Sequence, residues 1–222
     1  EVEAILYGWY PGQIGNQAIA EIIAGTTNPS GKLPVTIEKE FKDSPGYPYL
    51  PEGEELYDDF EFDFDLDHPV HDIVYDEGVF VGYRWYEQKG ITPLYHFGHG
   101  LSYSTFEYSN LYTSAKSYNT GDDVFVKVDI TNTSEVTGQE SVQLYIRDIQ
   151  SSVERPLKEL KGFLKVKLVP GETKTAQFTL NERDFAFWDV TQRKWTVEPG
   201  DFEILVGSSS AKINLSALIT MK

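Results

Sequence analysis

The 222-residue chain carries 19 Lys and Arg against 35 Asp and Glu, a formal net charge of −16, and no cysteine. So acidic a chain repels phosphate backbones and anionic lipid headgroups, which argues against nucleic-acid and membrane-surface partners. The missing thiols exclude a disulfide scaffold, thiolate zinc sites and a cysteine nucleophile, and no apolar run reaches the about 18–20 residues of a membrane helix.

The charge is unevenly spread. Residues 1–110 hold 5 basic and 20 acidic groups, whereas 111–222 hold 14 and 15, which suggests two units with different surroundings. The chain starts at Glu1 with no evident leader peptide and is expected to be a piece of something longer.

In chain order, Ala4-Ile5-Leu6-Tyr7 is a short apolar run that predicts a buried strand. From Gln13 to Ala24 the apolar residues Ile14, Ala18, Ile19, Ile22 and Ile23 fall on one face of a helix, with Gly25 placed to end it. The turn Asn28-Pro29-Ser30-Gly31 leads to a second predicted strand, Pro34–Ile37. Such a βαβ unit needs further strands beside it and helices on both faces. Residues 1–40 therefore read as the C-terminal end of an α/β domain.

Residues 41–104 read as a linker with an acidic insertion. Between Glu52 and Glu77 there are twelve acidic residues and no Lys or Arg, and Asp58 to Asp65 alternates acid with aromatic. Three readings of this run stay open: a solvated acidic loop, a calcium site assembled from irregular loops, or the rim of a sugar pocket. For the last, Tyr57, Phe60, Phe62 and Phe64 are the candidate substrate-proximal residues, because sugars stack on aromatic faces. A further strand is expected to begin at Tyr75. Adjacent residues of a strand point to opposite faces, so Asp76 and Glu77 there cannot flank one bond as a catalytic pair.

From Thr105 onward the period becomes two. The alternating sets are Val124–Ile130, Val142–Ile146, Leu164–Leu168, Ala176–Leu180, Phe202–Val206 and Ile213–Ala217, with turns such as Pro170-Gly171 and Pro199-Gly200 between them. Six or seven strands of this kind predict an antiparallel sandwich over 105–222, of fibronectin type III-like rather than antibody-like type because no cysteine pair staples the sheets. The overall class is thus α/β plus all-β: the C-terminal end of an α/β sandwich domain, then a fibronectin type III-like β-sandwich.

Several sharper patterns yield to plain ones. His68 and His71 have a chelating spacing, but Pro69 between them argues against a helix. His96 and His99 suit packing or hydrogen bonding. Gly25–Lys32 has the wrong glycine spacing for a phosphate loop, and Leu33 stands where Ser or Thr would hold magnesium. Arg155 and Lys158-Glu159-Leu160-Lys161 fit either a partner-binding strip or a charge-guarded sheet edge. Asn132-Thr133-Ser134 and Asn214-Leu215-Ser216 are glycosylation sequons, relevant only in a eukaryotic secretory host.

Four longer stretches carry a resemblance. Trp9-Tyr10-Pro11-Gly12-Gln13 with Gly15, Gly25 to Thr36, Tyr75 to Tyr86, and Phe97 to Phe106 are similar, in this order, to motifs of glycoside hydrolase family 3. Gly138–Tyr145 and Arg155–Phe163 resemble that family's terminal module. His99 stands where the family usually has Tyr, and about 58–72 looks like an insertion. The resemblance implies part of a retaining, exo-acting β-glycosidase, most often a β-glucosidase acting on terminal non-reducing β-D-glucosyl residues. A β-xylosidase, another family 3 glycosidase, or a non-catalytic carbohydrate-associated module are the alternatives. It further implies a nucleophilic Asp on a TIM-like barrel and an acid/base Glu in the α/β domain, both preceding Glu1, so no catalytic residue is assigned here. The expected partners are the remainder of the enzyme (the TIM-like barrel and the rest of the α/β domain) and a β-glucoside or oligosaccharide substrate, with a homo-oligomer left open. No cofactor or metal is implied.

Overall fold

A computed structural model of the chain describes residues 2–49 and 75–222. Its centre of mass in packing terms is the predicted sandwich. Strands β1 (Phe106–Thr113), β2 (Ser117–Tyr118), β3 (Val124–Asn132), β4 (Gly138–Asp148), β5 (Glu159–Leu168), β6 (Thr173–Leu180), β7 (Phe187–Asp189), β8 (Lys194–Thr196), β9 (Gly200–Gly207) and β10 (Ile213–Met221) follow one another, with a one-turn helix at Glu182–Phe185. One sheet has the order β1-β3-β6, the other β2-β10-β9-β4-β5, and β7 pairs β8 as a separate hairpin.

The register follows from alternation. Val124, Val126, Val128 and Ile130 of β3 are fully buried while Phe125 and Lys127 are exposed, and Ala176, Phe178 and Leu180 of β6 stand opposite them. Val142, Leu144 and Ile146 of β4, Phe202, Ile204 and Val206 of β9, and Ile219 and Met221 of β10 close the core from the other sheet. The Glu182–Phe185 turn is held by Asn181, whose side chain accepts from Arg183 N (2.9 Å), and it drops Phe185 edge-on against Phe202 with ring centres 5.3 Å apart.

In the N-terminal piece, helix α1 (Gly15–Ile23) forms as expected. The two flanking strands do not. Ala4–Tyr7 joins no ladder, and Ile5 and Tyr7 stay more than half exposed. Of Pro34–Ile37 only Ile37 makes a bridge, an antiparallel one to Tyr95. The reason is the one that identified the unit: parallel strands are held by neighbours, and none of the described residues supplies one. The strand expected from Tyr75 is also corrected. Residues 75–82 are turns, with Gly78 and Gly82 in the left-handed region, and α2 (Tyr83–Lys89) follows, ended by Gly90 at φ 65°.

Candidate functional site

What the chain builds is a junction between the N-terminal piece, α2 and the sandwich. It starts at strand β4. From Val142 to Ile146 every residue is buried, so the alternation that marks a half-solvated strand is lost. Val142, Leu144 and Ile146 face the sandwich core. Gln143 and Tyr145 face the other way and are covered by the segment before the sandwich.

That covering surface is aromatic and closely fitted. Tyr83 of α2 stacks on Phe97 (centroids 5.0 Å) and meets Tyr145 edge-on (6.0 Å). The Tyr145 hydroxyl donates to Gln143 Oε1, and Gln143 Nε2 donates to Ser208 O (2.8 Å). Gly98, at φ 79°, passes so close that a Cβ there would lie 2.3 Å from Gln143 Oε1. Gly100 passes even closer to Gly31: a Cβ would sit 2.1 Å from its carbonyl oxygen. Burial pushes the Tyr83 and Tyr145 phenols above their usual range.

Two polar knots fasten the same surfaces. Asn28 uses its whole carboxamide: Nδ2 donates to Ser104 Oγ (2.8 Å) and Thr137 O (3.1 Å), and Oδ1 accepts from Ser102 Oγ and Tyr103 N (2.8 Å each). Four residues on, Lys32 donates to Gly100 O (3.1 Å) and pairs with Glu140 at 3.5 Å. The Glu140 carboxylate is buried at the end of the sandwich and also accepts from the Tyr108 hydroxyl (3.0 Å). Burial and this neighbouring carboxylate hold the Tyr108 phenol well above its normal range.

A second ionic group joins α2 to β5. Arg155 bridges Asp148 (2.9 Å) and Glu159 (2.8 Å) and donates to Phe185 O (3.0 Å); Arg84 reaches Glu159 at 3.3 Å; Lys158 pairs with Glu87 at 2.7 Å. Burial pushes Glu87 up, against the pull of Lys158. Burial also works to raise Glu159, but Lys161, Arg155 and Arg84 together hold it below the usual carboxylate range. The Arg155 and Lys158–Lys161 strip is therefore neither a free partner surface nor a bare guarded edge. It is the seam with α2, a role hidden in the sequence because its partners lie far away along the chain.

The other candidates fall as follows. Tyr57, Phe60, Phe62, Phe64, His68 and His71 lie outside the described residues. Glu77 carries a buried Oε2 with no hydrogen-bond partner among the described residues. His99 stacks on Tyr95 (centroids 5.4 Å), and burial lowers the pKa of both His96 and His99. Among the described residues no group of three or more His, Cys, Asp or Glu is placed to hold a metal ion, and no helix is long and apolar enough to cross a membrane. Of the two sequons, Asn132 is fully buried with its amide donating to Val136 O and Leu168 O, while Asn214 is exposed.

Residues 1–83 match the glycosyl hydrolase family 3 C-terminal domain, and residues 140–210 match the fibronectin type III-like domain. The chain belongs to glycoside hydrolase family 3. Within that family it is 44% identical, over 217 residues, to thermostable beta-glucosidase B of Acetivibrio thermocellus, covering 97% of this chain and 26% of that protein. It is 39% identical over 220 residues to an exo-alpha-(1->6)-L-arabinopyranosidase of Bifidobacterium breve, 99% of this chain and 27% of that one. The crystal structure of a family 3 beta-glucosidase from Bifidobacterium adolescentis superposes with a TM-score of 0.83 at 38% identity, covering 96% of this chain and 29% of that chain. The chain thus spans about a quarter of the length of the family 3 relatives it matches.

Proposed function

We propose that this chain is the C-terminal part of a retaining, exo-acting β-glycosidase of family 3, a β-glucosidase releasing terminal β-D-glucosyl residues, and that by itself it hydrolyses nothing. The observation that carries the reading is the open apolar flank of the N-terminal piece. Ile5, Tyr7, Trp9, Ile14 and Ile23 are all more than half exposed beside the match to the family's C-terminal domain. A flank of this size is a surface made to be covered, and the TIM-like barrel and the rest of the α/β domain are the cover this reading assigns.

The chemistry agrees. A retaining glycosidase needs two carboxyl groups about 5–5.5 Å apart, one free to attack and one to protonate the leaving oxygen. Among the described residues, four buried carboxylates are already committed, Glu140 to Lys32, Glu87 to Lys158, Glu159 and Asp148 to Arg155, while Glu77 keeps one buried oxygen without a partner. A carboxylate held by a cation is a poor nucleophile and a poor acid. What these residues do is fix the seam on which the catalytic domains would sit.

Assayed on aryl β-glucosides, the purified 222-residue chain is expected to show no turnover. The longer protein is expected to cleave them with retention, read as the first-formed anomer by NMR. Turnover by the short chain that disappears in one Asp or Glu variant overturns the assignment. Glu77→Gln belongs in that set because of its unpartnered oxygen. Likeness to an arabinopyranosidase as well as to β-glucosidases makes the sugar the open half of the proposal, so aryl β-xylosides and α-L-arabinopyranosides belong in the same assay.

The same reading places Tyr57, Phe60, Phe62 and Phe64 at the rim of the sugar pocket, against a sugar beyond the scissile bond. One such stacking contact is worth roughly 0.5–1.5 kcal/mol, by analogy with aromatic pairs. Replacing 58–71 with a short Gly-Ser bridge in the longer protein is therefore expected to lower kcat/KM about threefold to tenfold on cellotriose, and less on an aryl β-glucoside. Equal values for both substrates before and after the deletion refute the rim.

A further inference from the structure

The hairpin β7–β8 is set apart from both main sheets. It is pinned at its turn by Asp189, whose Oδ1 accepts from Thr191 N (2.8 Å) and Gln192 N (2.9 Å), with Arg193 in the left-handed region at φ 53°. It is anchored to the sandwich by its inner face, where Phe187 lies under the Arg155 guanidinium (5.9 Å to the ring centre). Its outer face is two tryptophans. Trp188 and Trp195 are direct cross-strand partners with centroids 5.5 Å apart and planes tilted by 59°, and they are 47% and 44% exposed. Arg183 lies over the Trp195 ring at 2.9 Å. Trp85, by contrast, is tied in: its indole N–H donates to Asp43 O at 3.1 Å.

Two half-exposed indoles are not needed to hold a hairpin already fixed by Asp189 and Phe187, so their outward face asks for a ligand. Its size and charge say which kind. An aromatic side chain buries about 150–250 Å² when fully covered, so two half-exposed ones offer roughly that much in total, far short of the about 800 Å² per side of a stable protein interface. It matches one or two pyranose rings. The charges of residues 182–196 balance, with Glu182, Asp184 and Asp189 against Arg183, Arg193 and Lys194, so no net field selects an ionic partner. A neutral ligand with flat C–H faces and hydroxyls around the edge uses what is offered: the exposed indole surface that Arg183 leaves uncovered for stacking, and the exposed Arg183 guanidinium beside Trp195 for hydrogen bonds.

We propose that the Trp188–Trp195 face is an accessory binding site for neutral oligosaccharides on the fibronectin type III-like module. It rests on the reading that the protein acts on glycosides only for the choice of sugar chains as ligand; binding needs no catalytic domain. The site would hold a longer substrate near the enzyme without taking part in bond cleavage.

The test uses the 222-residue chain. It has four tryptophans, Trp9, Trp85, Trp188 and Trp195, so its indole N–H NMR spectrum has four peaks that single Trp→Phe variants assign. Titrated with cellotetraose or xylotetraose, the Trp188 and Trp195 peaks are expected to shift together and saturate with a dissociation constant on the order of 1 mM, and glucose about tenfold weaker. Trp9 and Trp85 stay in place. Trp188→Ala and Trp195→Ala each weaken binding about tenfold or more. Trp188→Phe and Trp195→Phe, which keep the hairpin, lose less, so a misfolded Ala variant does not stand in for lost stacking. The proposal is overturned if both peaks stay put at about 20 mM oligosaccharide, which is well above that constant. Movement of Trp9 or Trp85 instead, unchanged affinity in all four variants, or shifts of the two peaks on simple dilution, which would make the face a self-association surface, overturn it equally. None of these outcomes depends on whether the longer protein hydrolyses glucosides.

Discussion

Cut between Ser104 and Thr105, the chain is expected to give one half that folds and one that does not. Every member of the main hydrophobic cluster, from Tyr108 to Met221, lies in 105–222. Among the described residues before the cut only Gly15, Tyr86, Pro93, Gly98 and Ser104 are buried, and Tyr86 is the one large side chain. An amphipathic helix with its apolar face open and a set of turns cannot offset the entropy of ordering, which costs about 1–2 kcal/mol per residue for the backbone alone. The 105–222 half should unfold in urea in a single transition with a slope of about 1–3 kcal/mol/M, and 1–104 should show no transition. The half should also be less stable than the whole chain, because Tyr145 and Gln143 lose the cover of Tyr83, Phe97 and Gly98. Cooperative melting of 1–104 alone, or a 105–222 without near-UV circular dichroism, places the boundary elsewhere.

The parts of this fold legible from sequence are those where one physical rule acts alone. Strands β3 and β6 alternate cleanly because one face is core and the other water. Helix α1 shows its period because its apolar face is continuous. Legibility fails where two rules act on the same residues. In β4, Gln143 and Tyr145 break the pattern because both faces are covered. In α2, Tyr83, Trp85 and Tyr86 look strand-like by composition, yet Gly82 and Gly90 bracket a helix that presents Tyr83 to the sandwich. The seam was illegible for another reason. Asn28 meets Ser104 across 76 positions, and Lys32 meets Glu140 across more than a hundred; no local pattern announces such a pair. The Trp188 and Trp195 pair hides in a hairpin of two three-residue strands, too short for a period to show. The aromatic candidates at 57–64 rest on composition and on their position between the N-terminal piece and Tyr75 alone.

Lys32→Met in the whole chain is expected to cost about 3–5 kcal/mol. The cation sits against a carboxylate whose residue is only 4% exposed, 3.5 Å away, and the substitution leaves Glu140 with the Tyr108 hydroxyl as its remaining partner inside a closed site. Methionine keeps the aliphatic stem that covers the end of the sandwich, so water does not replace the ammonium. That distinguishes the substitution from the cut at Ser104, where the covering segment leaves altogether and the carboxylate regains solvent. At this one position the milder change therefore costs more than the drastic one. The cycle closes with Glu140→Gln, which removes the charge but leaves an oxygen for Tyr108. If the cost arises from an uncompensated buried charge, the Lys32→Met, Glu140→Gln double variant should recover most of it, with a coupling of about 2–3 kcal/mol in urea midpoints converted at constant slope. Additive effects mean that Lys32 acts by packing its stem and by its bond to Gly100 O, and the ion pair then contributes little to holding the N-terminal piece on the sandwich.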